Sequence, residues 1–169
     1  MTVTLHTFVD LYDRVLGSLS HLLDKGAAYA GEQGISTDAM LDWRLVDDMA
    51  PLRFQVMVVT NFTRSWTARV AGQPVADGIE DTLDLAGFRA AIADSKAHLA
   101  AIAPEHFAGR DDAPITFKIA DIMEPTLPAG QWLSVFATTN IYFHLSIAYA
   151  ILRAKGVPIG KADLFAGRI

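Results

Sequence analysis

The sequence predicts an all-α protein, a four-helix bundle that carries a small β-hairpin between its third and fourth helices. Four long stretches repeat apolar residues at the i, i+3, i+4, i+7 spacing of a helix that packs on a core. Glycine and proline residues separate these stretches. Residues 103–128 are too many for a structureless helix connection, and part of them alternates apolar and polar side chains as strands do. No repeat or linker divides the chain, so one domain is predicted over residues 1–169.

The first half of the chain is predicted to contain two long helices and a short connector. Helix one is expected from Val3 to Tyr29, and residues 38–45 are expected to add one or two helical turns. Helix two is expected from Pro51 to Val70, with Pro51 in the first turn, where its missing N–H is not needed. Asp47 and Asp48 precede this turn and are interpreted as caps of its free N–H groups.

The second half is predicted to contain helix three, the hairpin and helix four. Helix three is expected from Leu83 to Ile102. Residues 115–119 and 122–127 are expected to pair as the hairpin. Helix four is expected over residues 129–155, with Gly156 as its left-handed cap and an extended tail over residues 156–169. The pattern permits an up-down-down-up bundle or a simple antiparallel one and does not decide between them.

Composition excludes several classes of function. The net charge is −5 and the 14 basic residues are scattered, so no basic face for nucleic acid is expected. The chain has no cysteine, which excludes disulfides and thiolate metal sites and fits a cytoplasmic protein. No signal peptide is recognised in the first residues. The hydrophobic share of 51% predicts a large core together with a surface covered by a second copy, a homodimer.

One segment is apolar enough to raise the question of a membrane. No charged residue occurs from Gln131 to Leu152, and about 20 apolar residues can span a bilayer. Asn140 and His144 would then lie in lipid, at a cost of several kcal/mol. The sequence therefore favours a helix buried in a soluble bundle, with no membrane partner.

Three polar residues are predicted to face the core. With 100° per residue, Asn140 lies about 40° from His144 on helix four, in line with Leu133 and Ile151. Gln55 shares the apolar face of helix two. Buried polar groups must be hydrogen-bonded to each other, to water or to a ligand. Gln55, Asn140 and His144 are therefore predicted to form a small-molecule site between helices two and four, in a pocket lined by Phe62, Trp66, Phe143 and Ile147.

The remaining candidates carry less information. An inward histidine or glutamine is also common as a hydrogen-bonded core residue, and this explanation stays open for His144 and Gln55. His6, His21, His98 and His106 have no partner at metal-ligand spacing and are interpreted as surface or flanking residues. The chain contains no nucleophile elbow, phosphate loop or dinucleotide fingerprint.

Several segments resemble a known family. The segments 140–144, 148–153 and 156–161 resemble the C-terminal signature of an uncharacterised bacterial subgroup, a domain of unknown function, within the DinB/YfiT-like superfamily. Asp48, Pro51, Leu52 and Gln55 resemble its second-helix pattern. The resemblance implies a four-helix bundle and often a homodimer. It also implies, in many members, a divalent metal held by one histidine of helix two and a His-x-x-x-His pair of helix four. Some such members are metal-dependent thiol transferases or isomerases.

This chain departs from that metal pattern. Matching the helix-four spacing places Asn140 and His144 at the histidine pair and Gln55 at the helix-two histidine, whereas another register pairs His144 with Ala148. Amide oxygens are weak ligands for zinc, nickel or iron, so no cofactor is expected, and His144 is the ligand if such a metal binds. Small-molecule binding is the leading hypothesis. A degenerate metal- or thiol-dependent transferase and a dimeric structural or stress-related module are the alternatives, so the sequence leaves open whether the protein is an enzyme.

Overall fold

The computed structural model describes residues 3–167 and confirms the predicted fold class. Four long helices pack side by side, and a two-stranded antiparallel hairpin precedes the last of them. Two short 3-10 helices, Pro104–Phe107 and Lys161–Phe165, complete the described structure. The helices are α1 (Thr7–Glu32), α2 (Thr37–Leu41), α3 (Leu52–Val70), α4 (Leu85–Ala100) and α5 (Ala129–Ala154), and the strands are β1 (Pro114–Thr116) and β2 (Thr126–Pro128).

The directions of the helices follow from contacts along their lengths. Helix α4 runs antiparallel to α1, because Lys96 pairs with Asp13 at 2.9 Å while Arg89 pairs with Asp24 at 2.6 Å. Helix α3 runs parallel to α4, because the Arg53 guanidinium at the start of α3 donates to backbone carbonyls just before α4.

Helix α5 returns in the opposite direction along α3. The indole of Trp66, near the end of α3, stacks on that of Trp132 near the start of α5. Towards the other end, Gln55 of α3 contacts His144 of α5. The bundle is therefore up-down-down-up. Helices α3 and α4 can run in the same direction because the connection over residues 71–84 runs back along α3. The paired hydrogen bonds between the Asn61 amide and the backbone of Ile79, at 2.8 and 3.0 Å, hold this connection on α3.

Helix α5 contains a wider turn that the sequence did not predict. Residues Trp132–Ala137 form a π-helical segment between the α-helical segments Ala129–Gln131 and Thr138–Ala154. The carbonyl of Leu133 there accepts hydrogen bonds from the hydroxyls of Tyr12 at 3.0 Å and Thr138 at 2.9 Å. Regular helix geometry consequently applies between Asn140 and His144 but not between His144 and Leu133.

Several predicted details are wrong. Helix α1 begins at Thr7 and not at Val3, and Pro51 is the residue before α3, with no side-chain cap from Asp47 or Asp48. Each hairpin strand has three residues, fewer than predicted. The tail is not extended throughout, because residues 161–165 form a 3-10 turn against α1.

Other details are confirmed. Gly156 has a positive φ of 93°, as predicted for a left-handed cap. The backbone N–H of Val157 then bonds the carbonyl of Leu152 and closes the helix.

Helix α5 is also long and apolar enough to cross a membrane by length and composition. Its most apolar window has a mean hydropathy of 1.4, and a third of that window is buried within the bundle. Core helices of soluble proteins share these properties. The sequence-based preference for a soluble bundle stays a prediction.

Candidate functional site

The side chains of Gln55 and His144 meet between α3 and α5. The amide nitrogen of Gln55 donates to the backbone carbonyl of Ala50 at 3.0 Å. This contact fixes the orientation of the amide, so its oxygen faces His144 Nδ1 at 2.7 Å and accepts from it. The hydrogen-bond network therefore places a proton on His144 Nδ1. Gln55 is 2% exposed, so the hydrogen bond that fixes the tautomer is made inside the protein and not at a solvated surface.

The tautomer leaves the second ring nitrogen of His144 as an acceptor. Among residues 3–167, Nε2 has no hydrogen-bond partner. It is also not among the fully buried side-chain atoms without a partner, so it keeps contact with solvent. Desolvation of the half-buried ring lowers the pKa of His144 below the usual value for histidine. At neutral pH the site presents an uncharged imidazole with an available lone pair.

Two aromatic rings flank this imidazole. Phe54 lies with its ring centroid 5.9 Å from that of His144, and Phe143 lies at 5.1 Å, both in edge-on geometry. Phe143 is 55% exposed, so this side of the imidazole opens towards the surface. Phe54 was missed in the sequence because it is one position from Gln55, which places it off the core face of the helix.

Asn140 lies one turn before His144 but takes a different partner. Its amide nitrogen donates to the carbonyl of Phe136, in its own helix, at 2.8 Å. The oxygen Oδ1 has no hydrogen-bond partner within the described part of the chain. The structure thus brings Gln55 and His144 into direct contact and leaves Asn140 beside them with one acceptor available.

Two of the predicted pocket-lining residues belong to an aromatic cluster. The ring of Trp66 stacks on Trp132 with centroids 5.0 Å apart, and Phe117 and Phe136 pack edge-on against it. Phe62 packs against Phe136 with ring centroids 6.0 Å apart. These rings fill the space beside Trp66. This cluster lies towards the other end of α3 and α5 from Gln55. Phe143, by contrast, flanks the imidazole directly, and Ile147 is half-buried against the core.

The residues present do not fit the three-histidine metal site of the superfamily. His144 is the single imidazole of the trio, and the oxygen of Gln55 is already engaged by its Nδ1–H. In the other register the partner is Ala148, whose methyl group is no ligand and is buried. No group of three or more histidine, aspartate or glutamate side chains able to hold a metal occurs within residues 3–167.

A separate groove of about 650 Å³ lies between α1, α5 and the C-terminal 3-10 turn. It is on the other side of α5 from Gln55. We call it the α1–α5 groove, and its apolar lining consists of Leu11, Val15, Tyr142, Leu145, Leu164 and Phe165.

Two histidines interpreted as surface residues have specific surroundings. His21 Nε2 lies 2.7 Å from the carboxylate of Asp163 and holds the C-terminal turn on α1. The Gly160 backbone N–H and His21 lower the pKa of Asp163. His98 has a buried Nε2 without a hydrogen bond in the described structure, and desolvation and the Arg64 charge lower its pKa. Sequence spacing carries no signal for contacts across 142 residues.

Fold and site together define a DinB-like four-helix-bundle protein with an inward imidazole, that of His144, between α3 and α5. The structure matches the crystal structure of a DinB family member protein from Shewanella denitrificans with a TM-score of 0.84 and 29% identity, over 95% of this chain and 90% of that one. The model of DUF1993, a domain of unknown function, matches residues 5–165, and the chain belongs to that family. A search of curated proteins finds no match.

Proposed function

We propose that this protein binds a small uncharged molecule between α3 and α5, with a hydroxyl or N–H group of the ligand donating to His144 Nε2. The observation that carries this proposal is the hydrogen bond from His144 Nδ1 to Gln55, whose own orientation is fixed by Ala50. A histidine held in this way presents a lone pair in one direction. Specific ligand sites use a few such polar groups, placed by the scaffold, within an apolar lining.

The surroundings indicate the chemistry of the ligand. A neutral imidazole nitrogen and the Asn140 amide oxygen are both acceptors, and residues one helical turn apart are about 5–6 Å apart at Cβ. A ligand with one or two donors fits this pair. The rings of Phe54 and Phe143 offer apolar contact for a flat or aliphatic body attached to those donors.

A pair of probe molecules tests the proposal. 4-Methylphenol carries one hydroxyl donor on an aromatic ring, and toluene has the same ring without the donor. NMR titration should show saturable shifts of the backbone amide signals around residue 144 with 4-methylphenol and weaker ones with toluene. His144→Phe should abolish the difference between the probes, and Asn140→Ala should reduce it only if its Oδ1 contributes.

Thr60→Val is the matched control. Thr60 is buried on the same helix as Gln55, and its hydroxyl donates to the carbonyl of Val56 in that helix. Its substitution should leave the titration unchanged. Equal responses to both probes, or none, combined with a large loss of stability in His144→Ala, would instead identify the pair as a structural hydrogen bond.

A further inference from the structure

A further pocket lies where the last turns of α4 meet the connection that follows α3. We call it the His98 pocket. It has a volume of about 340 Å³, and it is lined by residues 73–76, by His98, Ala101 and Ile102, and by His106. Gln55 and His144 do not line it, so it is separate from the site proposed above.

Two neighbouring donor side chains at the contact between α3 and α4 have no acceptor. Neither ring nitrogen of His98 has a hydrogen-bond partner within residues 3–167, and its Nε2 is fully buried. The guanidinium of Arg64, on α3, makes no hydrogen bond or ion pair with those residues either, and its Nε is fully buried. Because buried donors are normally hydrogen-bonded, these two groups favour a ligand that carries acceptors.

The two side chains are close enough to interact electrostatically. Desolvation lowers the pKa of His98, and the charge of Arg64 lowers it further. The imidazole is therefore uncharged at neutral pH and has one N–H to donate. Arg64 keeps its charge at any physiological pH. The pair thus consists of one fixed positive charge and one neutral donor.

His106 contributes another donor to the His98 pocket. Its Nδ1 accepts from the backbone N–H of Ala103 at 3.2 Å, so the proton of the neutral ring is on Nε2. This Nε2 has no hydrogen-bond partner in the described part of the chain, and it is not fully buried. The pocket is therefore lined by two imidazole donors, with the Arg64 charge next to one of them.

The charges favour an anion over a metal ion. Asp94 lies one turn before His98 but is exposed and makes no ion pair with it or with Arg64 among residues 3–167. A cation beside His98 would be repelled by Arg64. The terminal nitrogens of Arg64 are not fully buried, so an anion can reach them. Carboxylates pair with a guanidinium through two parallel hydrogen bonds.

The rest of the lining indicates what the anion is attached to. Pro74, Val75, Ala76, Ala101 and Ile102 are apolar, and they offer no hydrogen bond from a side chain. A cavity of about 150 Å³ is enough for benzene, so this pocket has room for a ring or a short aliphatic chain. We propose that the His98 pocket binds an organic monocarboxylate, with the carboxylate at Arg64 and His98 and a small apolar body against the apolar lining.

Benzoate and benzyl alcohol test the proposal, because they share a ring but only benzoate is charged. In an NMR titration of the full chain, benzoate should produce saturable shifts of the backbone amide signals over residues 73–76 and 98–106. Benzyl alcohol should bind at least about 10-fold more weakly, because it cannot form a charge-assisted pair with Arg64. Equal binding of the two probes would overturn the proposal.

Arg64→Gln should weaken benzoate binding by at least about 10-fold. Arg89→Gln is the matched control, because it makes the same change on α4, where Arg89 pairs with Asp24 at 2.6 Å, and it should bind benzoate as the wild type does. An equal loss in both variants would mean that only the net charge matters, and wild-type affinity in Arg64→Gln would mean that Arg64 is not the partner. Either result contradicts the proposal.

A measurement on the wild type does not depend on the folding of a variant. Benzoate bound at Arg64 offsets its charge, so the NMR titration midpoint of His98 should rise at saturating benzoate. An unchanged midpoint, or amide shifts around residue 144 in place of residue 98, would place benzoate elsewhere and refute the assignment. Inorganic phosphate that binds as tightly as benzoate would replace it with a site for bare anions. His144→Phe should bind benzoate as the wild type does, whether or not the proposed function is correct.

Discussion

Replacement of Gln55 by leucine removes the group that fixes the His144 tautomer. The side chain makes two hydrogen bonds, at 2.7 Å to His144 and 3.0 Å to Ala50, and each contributes about 0.5–1.5 kcal/mol net. A buried donor without a partner costs about 1–3 kcal/mol, but His144 is half-buried and water recovers part of that cost. Leucine retains the apolar contacts of a 2% exposed position. We expect the free energy of unfolding to fall by about 1–3 kcal/mol.

The stability change is measured by urea denaturation and the tautomer by ¹⁵N NMR of the His144 ring. The wild type should show a protonated Nδ1 and an unprotonated Nε2 at neutral pH, and Gln55→Leu should lose this preference. Thr60→Val, which removes a hydrogen bond within one helix, should keep it. A wild-type spectrum with the proton on Nε2, or an unchanged tautomer in Gln55→Leu, would refute the reasoning.

Three further predictions concern pH, the helix cap and the tail. Burial lowers the pKa of His144, so its NMR titration midpoint should lie below about 6.5. The free energy of unfolding should decrease as the pH falls below about 6.5, because the unfolded chain takes up the proton first. His144→Gln should weaken this pH dependence. Gly156→Ala forces a side chain into a positive φ and towards the Tyr29 hydroxyl, so denaturation should show a loss of about 1–3 kcal/mol, whereas Gly160→Ala, which has open space, should be nearly neutral. Asp163→Ala removes the hydrogen bonds of the carboxylate with His21 and with the Gly160 N–H, so hydrogen exchange over residues 161–165 should accelerate while α3 is unaffected. Unchanged exchange would mean that the carboxylate does not hold the turn.

The difference between Asn140 and Gln55 shows where sequence reasoning about the site ends. The helical period predicted that both residues face the core. In the structure Gln55 faces His144 from α3, and Asn140 lies one turn from His144 on α5. Gln55 reaches across to α5, whereas the Asn140 amide nitrogen turns back to its own helix. Periodicity gives the direction of a Cβ atom, but the rotamer that an amide adopts depends on which acceptors the neighbouring helix brings within reach.

The π-helical segment shows the same limit within one helix. The apolar pattern predicted that residues 129–155 are helical, and nearly all of them are. It did not predict the wider turn at Trp132–Ala137, where the Leu133 carbonyl bonds to Tyr12 of α1. The donor to this carbonyl belongs to a residue more than a hundred positions away, which no local pattern contains.

The sequence by itself determined the number of the long helices, the place of the hairpin, the left-handed cap at Gly156 and the inward faces of Gln55 and His144. These features depend on local periodicity and on the conformational preferences of single residues. Only the tertiary structure decided the up-down-down-up order, the tautomer of His144 and the attachment of the tail through His21 and Asp163. Each of these depends on contacts between distant segments, whose partners are selected by packing and not by spacing along the chain.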